Sequence, residues 1–463
     1  DADILGYLLN TSSSEYTIQK MCIEHNAKYY DNIDEYADIC SLPQLCDVML
    51  KKIKDMNMDS LLYDIELPLI EVLASMEHFG VTVDIDGIKN FGIKLTEEIK
   101  ACEQQIYFMA GHEFNVSSPK QLGVVLFDEI GLPALKKTKT GYSTNAEVLE
   151  SLRDKHEIIE LILDYRQLTK LNSTYVEGLL KVISDDGRVR SVFKQTETKT
   201  GRISSTEPNM QNIPIRTELG REMRKFFTAC DGYTLLDADY SQIELRILAH
   251  MSGDKNMQNN FLSDMDIHTS TAAQVFDMPL DMVTSEMRRA AKAVNFGIVY
   301  GIGAFSLSKD INVSVKQADK YIKNYLDNYP NVKKFMDDVI NDAIKNKYAI
   351  TMFGRRRYIP ELSSTNKNIQ SFGKRAAMNA PIQGTAADVI KIAMVKVYKR
   401  LKEEKLDARL ILQVHDELII EVSHSDKEKA MKILGEEMKN AVKLDIPLIA
   451  DVASGFTWYD AKG

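Results

Sequence analysis

Thr234-Leu-Leu-Asp-Ala-Asp239-Tyr-Ser-Gln-Ile-Glu244-Leu-Arg246 is the stretch on which the fold turns. Its first six residues are a buried-strand pattern ending in acid, and a helical pattern begins just after Asp239. A carboxylate at a strand end sits at the edge of a rigid sheet, where a hard cation can reach it. An aspartate that simply caps the helix is the ordinary alternative. A matching element lies far along the chain. Arg409-Leu-Ile-Leu-Gln-Val and Glu417-Leu-Ile-Ile-Glu-Val are strand patterns separated only by His415 and Asp416, a tight hairpin with an acidic tip. Turn chemistry alone accommodates an Asp there. Two carboxylates held close repel one another unless a cation neutralises them.

Between these strands runs a helical stretch from about 255 to 350, so the two mixed segments are expected to form one sheet, split in sequence by the helical insertion. The insertion contains Arg288-Arg-Ala-Ala-Lys292-Ala-Val-Asn-Phe296-Gly-Ile-Val-Tyr300-Gly301. Residues at i, i+4, i+8 and i+12 keep to one slowly drifting helix face. Thr284 or Ser285 can cap its start and Gly301 can end it. The face carries two cations, then two rings, suited to a triphosphate and a base in that order. An amphipathic helix with Arg and Lys outward and Phe and Tyr inward is the competing reading.

Upstream, 58–80 reads as an amphipathic helix and 86–110 as another. Ser118 can cap a helix with Pro119 at its first position. Residues 131–143 form a basic, Gly/Thr-rich loop, helices resume over 145–183, and short strands begin near Gly187. No internal repeat appears.

The 463 residues are enough for about three or four domains. No run of eighteen apolar residues exists, so no membrane helix is expected. The N-terminus lacks the basic start and apolar core of a signal peptide and begins within a helix-like pattern; the chain reads as a fragment of a longer protein. Five cysteines without a CxxC pair suit reduced thiols in a cytoplasm. A net charge of −9 disfavours nucleic acid only on average, because phosphate binding needs a local basic surface. Candidate surfaces are Lys136-Lys137-Thr138-Lys139; Arg216, Arg221, Arg224 and Lys225; Arg288, Arg289 and Lys292; and Arg355-Arg356-Arg357. Any of them alone could be a solvated face. Trp458 and the histidines other than His268 and His415 add no functional signal.

Asp239-Tyr-Ser-Gln-Ile-Glu-Leu-Arg, Arg288-xxx-Lys-xxx-Phe-xxx-Tyr-Gly and Val-His415-Asp-Glu resemble motifs A, B and C of the family A DNA polymerases. Thr200-Gly-Arg-Ile-Ser-Ser-Thr-Glu-Pro-Asn-Met-Gln-Asn-Ile-Pro214 and Asn379-Ala-Pro-Ile-Gln-Gly-Thr-Ala-Ala-Asp388 are similar to two further stretches of that family. The likeness runs from about residue 60 to the end, in the family's order and spacing, and five such motifs together are far more specific than any one. It is strongest to the large, Klenow-type fragment of the bacterial enzymes.

The resemblance implies an α+β right-hand polymerase, with a palm of antiparallel sheet and helical fingers and thumb, preceded by a truncated remnant of an exonuclease-like domain. The implied segments are 1–59 remnant, 60–182 thumb, 183–251 palm, 252–368 fingers and 369–463 palm again. It implies a nucleotidyltransferase that adds dNMP from dNTP to a primer 3′-OH, serving DNA repair, gap filling and Okazaki processing. Asp239, Asp416 and the Tyr240 main-chain carbonyl would hold two Mg2+ ions, with Mn2+ able to substitute, and Glu417 would be an acidic neighbour. Magnesium prefers one or two carboxylates, waters and substrate phosphates. Arg288, Lys292 and His268 would bind the triphosphate, with Lys292 also protonating departing pyrophosphate. Phe296 would pack on the incoming sugar and base, Tyr300 would stack near the templating position, and Gln242 would line the dNTP site. Glu244 would be the steric gate, filling the space a ribose 2′-OH requires. Arg202, Gln211, Arg375, Asn379, Gln383 and His415 would contact primer and template. Ser118, Lys120, the Lys136–Lys139 loop, Arg166 and Lys170 would hold the duplex backbone. Primer–template DNA and dNTPs are the implied partners of a monomer acting in the bacterial cytoplasm at the nucleoid.

The remnant departs from the family. Its last exonuclease motif needs a Tyr and an Asp, and the aligned positions are Ser41 and Leu45, which cannot bind metal. No proofreading is therefore expected. Single-subunit RNA polymerases share the hand and both aspartates, but Glu244 and Phe296 point to DNA. A silent DNA-binding module would not need Asp239, Asp416, Arg288 and Lys292 together, and a nuclease would not need the triphosphate helix. The resemblance also ties Phe at 296 to rejection of dideoxynucleotides. Phe296→Tyr is expected to raise dideoxynucleotide incorporation relative to dNTP; equal ratios for the two forms would refute that role.

Overall fold

The computed structural model describes residues 1–134, 137–138, 141–214, 217–263 and 265–462, apart from the side chains of 32–34, 137 and 138. Lys136, Lys139, Arg216 and the Lys137 side chain therefore lie outside the described residues. Four strands make the central sheet: β1 (Tyr233–Tyr240), β2 (Ala408–Val414), β3 (Glu417–Ser423) and β4 (Ala450–Gly455). Their order is β2-β3-β1-β4, every pair antiparallel. Leu235, Leu236 and Ala238 on β1, and Leu418, Ile419 and Ile420 on β3, are buried. Both sheet faces are covered, which is why these strands read as apolar runs rather than as alternation. The expected hairpin is present: Val414 pairs with Glu417, and His415 takes a φ of 53°, the positive value two-residue hairpin turns use.

The principal helices are α1 (Ile243–Ser252), α2 (Ser285–Val299), α3 (Lys367–Glu403), α4 (Lys427–Lys439) and the short α5 (Trp458–Ala461). Side chains alternate along a strand. Tyr240 faces α4 and donates its hydroxyl to the Met438 carbonyl (2.7 Å). Asp237 and Asp239 face the other way. The register sets Asp239 directly between Glu417 and Asp451.

Upstream, Ile85–Ala110 and Ile158–Lys170 build a helical lobe around its own core of Ile106, Leu122, Leu126, Leu149 and Ile162. Ser118 caps the helix that opens with Pro119, as its position predicts. The helix expected over 58–80 is present but not uniform. Leu61–Glu66 is a wider, π-type turn, and regular α-helix resumes at Leu67–Phe79. Pro68 stands at that join and lacks the N–H a regular turn would need there. Val81–Val83 then pairs with Arg188–Val189 and Phe227–Thr228 in a second sheet.

The N-terminal segment has a core of Ile4, Leu8, Leu45, Met49 and Ile53, against which Phe353 and Ile392 from distant parts of the chain also pack. Beneath it lies a buried ionic cluster. Glu66 receives the Lys391 ammonium (2.7 Å), the Arg355 guanidinium and the Gln195 amide. Asp388 accepts from Arg355 Nε (2.9 Å) and from Thr351 (3.0 Å). Burial alone would raise the Glu66 carboxyl, but Lys391 and Arg355 hold it down at about 2. The arrangement corrects the view of Arg355-Arg356-Arg357 as a basic surface. Arg355 is 2% exposed, and Arg356 lies over the Tyr348 ring (4.6 Å) and donates to the Met56 carbonyl (3.3 Å). Gly201, with a φ of 89°, is required beside it, since a Cβ there would fall 2.6 Å from Arg355 Nε.

Removing one partner from a buried ionic cluster leaves an uncompensated charge. Glu66→Ala is expected to cost about 3–5 kcal/mol of stability, read as a lowered urea midpoint. A loss below about 1 kcal/mol, the scale of an exposed pair, would overturn this view of the cluster.

Candidate active site

Tyr240 donates its main-chain N–H to the Asp416 carbonyl (3.1 Å), stitching the hairpin tip to the end of β1. Asp239, Tyr240 and Asp416 thereby share one wall of a cleft of about 480 Å³. Arg288, Lys292, Phe296 and Tyr300 of the α2 segment form the facing wall, and Arg202, Gln242, Glu244, His268 and His415 close it. Burial pushes the Asp416 carboxyl up to about 7, and the nearby charges of Glu244 and Asp239 push the same way. Negative charge is thus gathered at one point, and oxygen donors of this kind fit a hard divalent cation.

The α2 face is built as its spacing predicts. Thr284 accepts from the Met287 N–H (3.2 Å), and Gly301 ends the helix with a φ of 66°. Ala291, Val294, Ile298 and Val299 are buried behind it. Arg288 makes a two-pronged pair with Asp266 (3.0 and 2.7 Å). Lys292 is exposed and has no ion-pair partner among the described residues. The Phe296 ring lies 5.9 Å from the ring of His268. Buried Asn295 accepts from Thr271 (3.1 Å) and meets His268 Nδ1 (3.1 Å). Burial, with Arg288 and Lys292 nearby, pushes His268 down to about 4 although Asp266 opposes it, so the ring is neutral at neutral pH.

Glu244 is 5% exposed, and both its oxygens are engaged. Arg202 Nη2 donates to Oε1 (2.8 Å) and the Tyr300 hydroxyl to Oε2 (3.1 Å). Burial raises its carboxyl, and Arg202 partly offsets the rise. Gln383 of α3 lies beside the Tyr300 hydroxyl. Gln211 donates to Gln413 Oε1 (3.0 Å), and Gln413 donates in turn to the His415 carbonyl (2.6 Å). Asn379 has a buried, unpartnered Oδ1, and Arg375 is exposed on the same helix. Lys120, Arg166 and Lys170 are not in this cleft. They line a separate cavity of about 980 Å³ in the helical lobe with Ser118. Arg166 is already bonded there to the carbonyl and hydroxyl of Thr144. In the N-terminal segment Ser41 donates to the Ala37 carbonyl (2.7 Å), and Leu45 is fully buried.

The partners of Glu417, the expected acidic neighbour, escaped the sequence reading. Glu417 is buried beside Asp239 and accepts from Trp458 Nε1 (2.5 Å), Arg224 (3.4 Å) and Lys462 (2.6 Å). Arg224 also lies over the Trp458 ring (4.0 Å) and is 3% exposed, which removes it from the basic surface assigned to its segment. Burial and the neighbouring Glu417 raise Asp237 and keep it protonated. Burial would raise Glu417 too, but the bond from Asp237, with Lys462 and Arg224, lowers it. Strand alternation puts Asp237 on the face of Asp239, a signal open to sequence reading. Trp458 and Lys462 offered none, because only the tertiary fold brings them here.

A helix-covered antiparallel sheet with acids at one end, facing a helix of cations and rings, is an arrangement suited to holding a metal-bound phosphate ester. The description of DNA polymerase family A matches residues 85–460, and the chain belongs to that family. It is 47% identical to DNA polymerase I of Caldicellulosiruptor bescii over all of this chain and 55% of that relative. It is 51% identical to DNA polymerase I of Bacillus subtilis over 91% of this chain and 48% of that one. The chain thus spans about half the length of these relatives. The solved POL domain of Pol1 from M. smegmatis, in complex with DNA primer-template and dNTP, superposes with a TM-score of 0.95 at 39% identity, covering 100% of this chain and 82% of that one. The fold is therefore the α+β right-hand polymerase fold. Among the described residues no helix is long and apolar enough to cross a membrane.

His268 binds a proton less readily folded than unfolded, so its linkage weakens the fold as pH falls below the ordinary histidine value towards about 4 and contributes nothing above it. An NMR titration of the imidazole is expected to show a midpoint near 4. A midpoint at the ordinary value would refute the neutral, buried ring.

Proposed function

We propose that this chain is a DNA-directed DNA polymerase that extends a primer 3′-OH with dNTPs. The observation that carries the reading is the stitched pair Asp239 and Asp416 facing Arg288, Lys292, Phe296 and Tyr300 across one cleft. Divalent ions, two magnesium or manganese in their place, would activate the attacking hydroxyl and steady the leaving oxygen. Asp239, Asp416 and the Tyr240 carbonyl are the groups to hold them. Lys292, exposed in the cleft, meets the triphosphate and gives a proton to departing pyrophosphate. Arg288 exchanges Asp266 for phosphate, a small cost for a half-exposed pair. Neutral His268 serves as a phosphate hydrogen-bond partner, and Phe296 packs on the sugar. Glu244, held from both sides, blocks a 2′-OH. Arg202, Gln211, Arg375, Asn379, Gln383 and His415 meet the primer terminus and the templating pair from the sheet side. Lys120 and Lys170 grip the duplex backbone from the helical lobe.

In this reading 60–182 is thumb, 183–251 and 369–463 are palm, and 252–368 is fingers. Residues 1–59 are a remnant of an exonuclease-like domain without proofreading, with Ser41 and Leu45 committed to the interior. The enzyme would act as a monomer in the bacterial cytoplasm at the nucleoid, in repair and gap filling.

Primer extension on a labelled hairpin tests the reading. Asp239→Ala is expected to lower extension by about a thousandfold, the scale of losing a transition-state-stabilising group, and to leave hairpin binding within about twofold. A mismatched 3′ nucleotide is expected to remain attached. Extension that survives the substitution would overturn the carboxylate assignment, and metal-dependent release of the mismatch would overturn the loss of proofreading.

A further inference from the structure

The carboxylates at the sheet end already have a cation belonging to the chain. Lys462, just beyond α5, sets its ammonium between Asp239 Oδ2 (2.9 Å) and Glu417 Oε2 (2.6 Å). The turn that precedes it is anchored. Thr457 caps the Asp460 N–H (3.1 Å), and the Phe456 carbonyl accepts from Ala229 (2.8 Å). Trp458 is 1% exposed, packs edge-on against Phe227 (5.7 Å) and holds the other oxygen of Glu417. The last helical turn thus delivers one positive charge to one oxygen of the carboxylate assigned to metal.

We propose that Lys462 is the resident counter-cation of the metal site, orienting Asp239 through Oδ2 and opposing entry of a divalent ion before nucleotide arrives. An incoming ion must replace the attraction Asp239 already has and also meets a like charge at close range. Nucleotide phosphates add ligands and negative charge, so they favour loading of the site with the nucleotide over loading of the free enzyme. Lys462 is a positioning residue in this scheme: it touches the ligand carboxylate and not the reacting atoms. The proposal rests on Asp239 and Asp416 being the metal ligands.

Mn2+ binding to the full chain without DNA or dNTP, followed by electron paramagnetic resonance, separates the two ideas. Lys462→Gln and Lys462→Met are expected to bind Mn2+ about tenfold more tightly, equivalent to about 1.4 kcal/mol. Lys462→Arg, which keeps the charge, is expected to stay within about twofold of the parent, equivalent to about 0.4 kcal/mol. Thermal melting confirms that each variant is folded. Unchanged or weaker Mn2+ binding in both neutral variants overturns the proposal. Asp239→Asn in the Lys462 background is the control. If it abolishes binding while the neutral variants match the parent, the metal ligands stand and the role of Lys462 falls. If it leaves binding untouched, the ligand assignment itself fails and takes the proposal with it.

Discussion

One main-chain hydrogen bond, from Tyr240 to the Asp416 carbonyl, closes the end of the sheet, and the site depends on it. The pairing of β1 with β3 already sets Asp239 opposite Glu417. A slip of one residue would turn every side chain of a strand to the other face. Asp239 would then point at α4, and Ala238 would take its place. The apolar content of both strands prevents this, because a slip would also carry buried leucines and isoleucines out of register with the helices that cover them. Precision in the acids is therefore a consequence of hydrophobic packing.

The protein treats its buried charges in two ways. Glu66, Asp388, Arg355 and Lys391 form a closed set of two acids and two bases. Glu417 is likewise matched by Lys462, Arg224 and an indole N–H, with protonated Asp237 alongside. Asp416 is different: burial first, and then the neighbouring acids, raise its carboxyl, and Arg202 and Lys462 nearby do not restore it. Since matched charge is the rule around it, the unmatched carboxyl marks the place where an external cation is due. The same contrast separates two kinds of arginine. Arg355 and Arg224 are buried among acids, while Arg288 is half-exposed on a partner it can give up.

Much of this was legible in the sequence. The strand of Asp239, the hairpin at Asp416 and the helix from Ser285 all follow from local pattern: apolar runs, a two-residue turn, a capping threonine and a terminating glycine. The family motifs then assigned roles to those positions. The errors share one cause. Arg355 and Arg224 sit in basic runs that look solvated, and their acidic partners Glu66 and Glu417 lie 289 and 193 positions away. Neither periodicity nor composition carries information over that distance. The bonds of Arg166 to Thr144 were out of reach in the same way, because they depend on how a loop of the lobe meets the Ile158–Lys170 helix. Lys462 and Trp458 were passed over for the same reason.

The partners now held by the cleft residues describe a site closed on itself. Arg288 is on Asp266, Tyr300 and Arg202 are both on Glu244, and Lys462 is on Asp239. Each bond uses a donor that the proposed reaction needs, or an acid that it needs. The pairs are not equal in cost. Arg288 and Asp266 are half-exposed, so exchanging Asp266 for a phosphate costs little beyond screening. Glu244 is buried, and losing Arg202 and Tyr300 together would strand its charge. In the proposed reaction a nucleotide would therefore disturb the α2 pair first, and Glu244 would keep at least one donor while the sugar is inspected. That order would put the loosest contact where phosphate arrives and the tightest where ribose is to be refused.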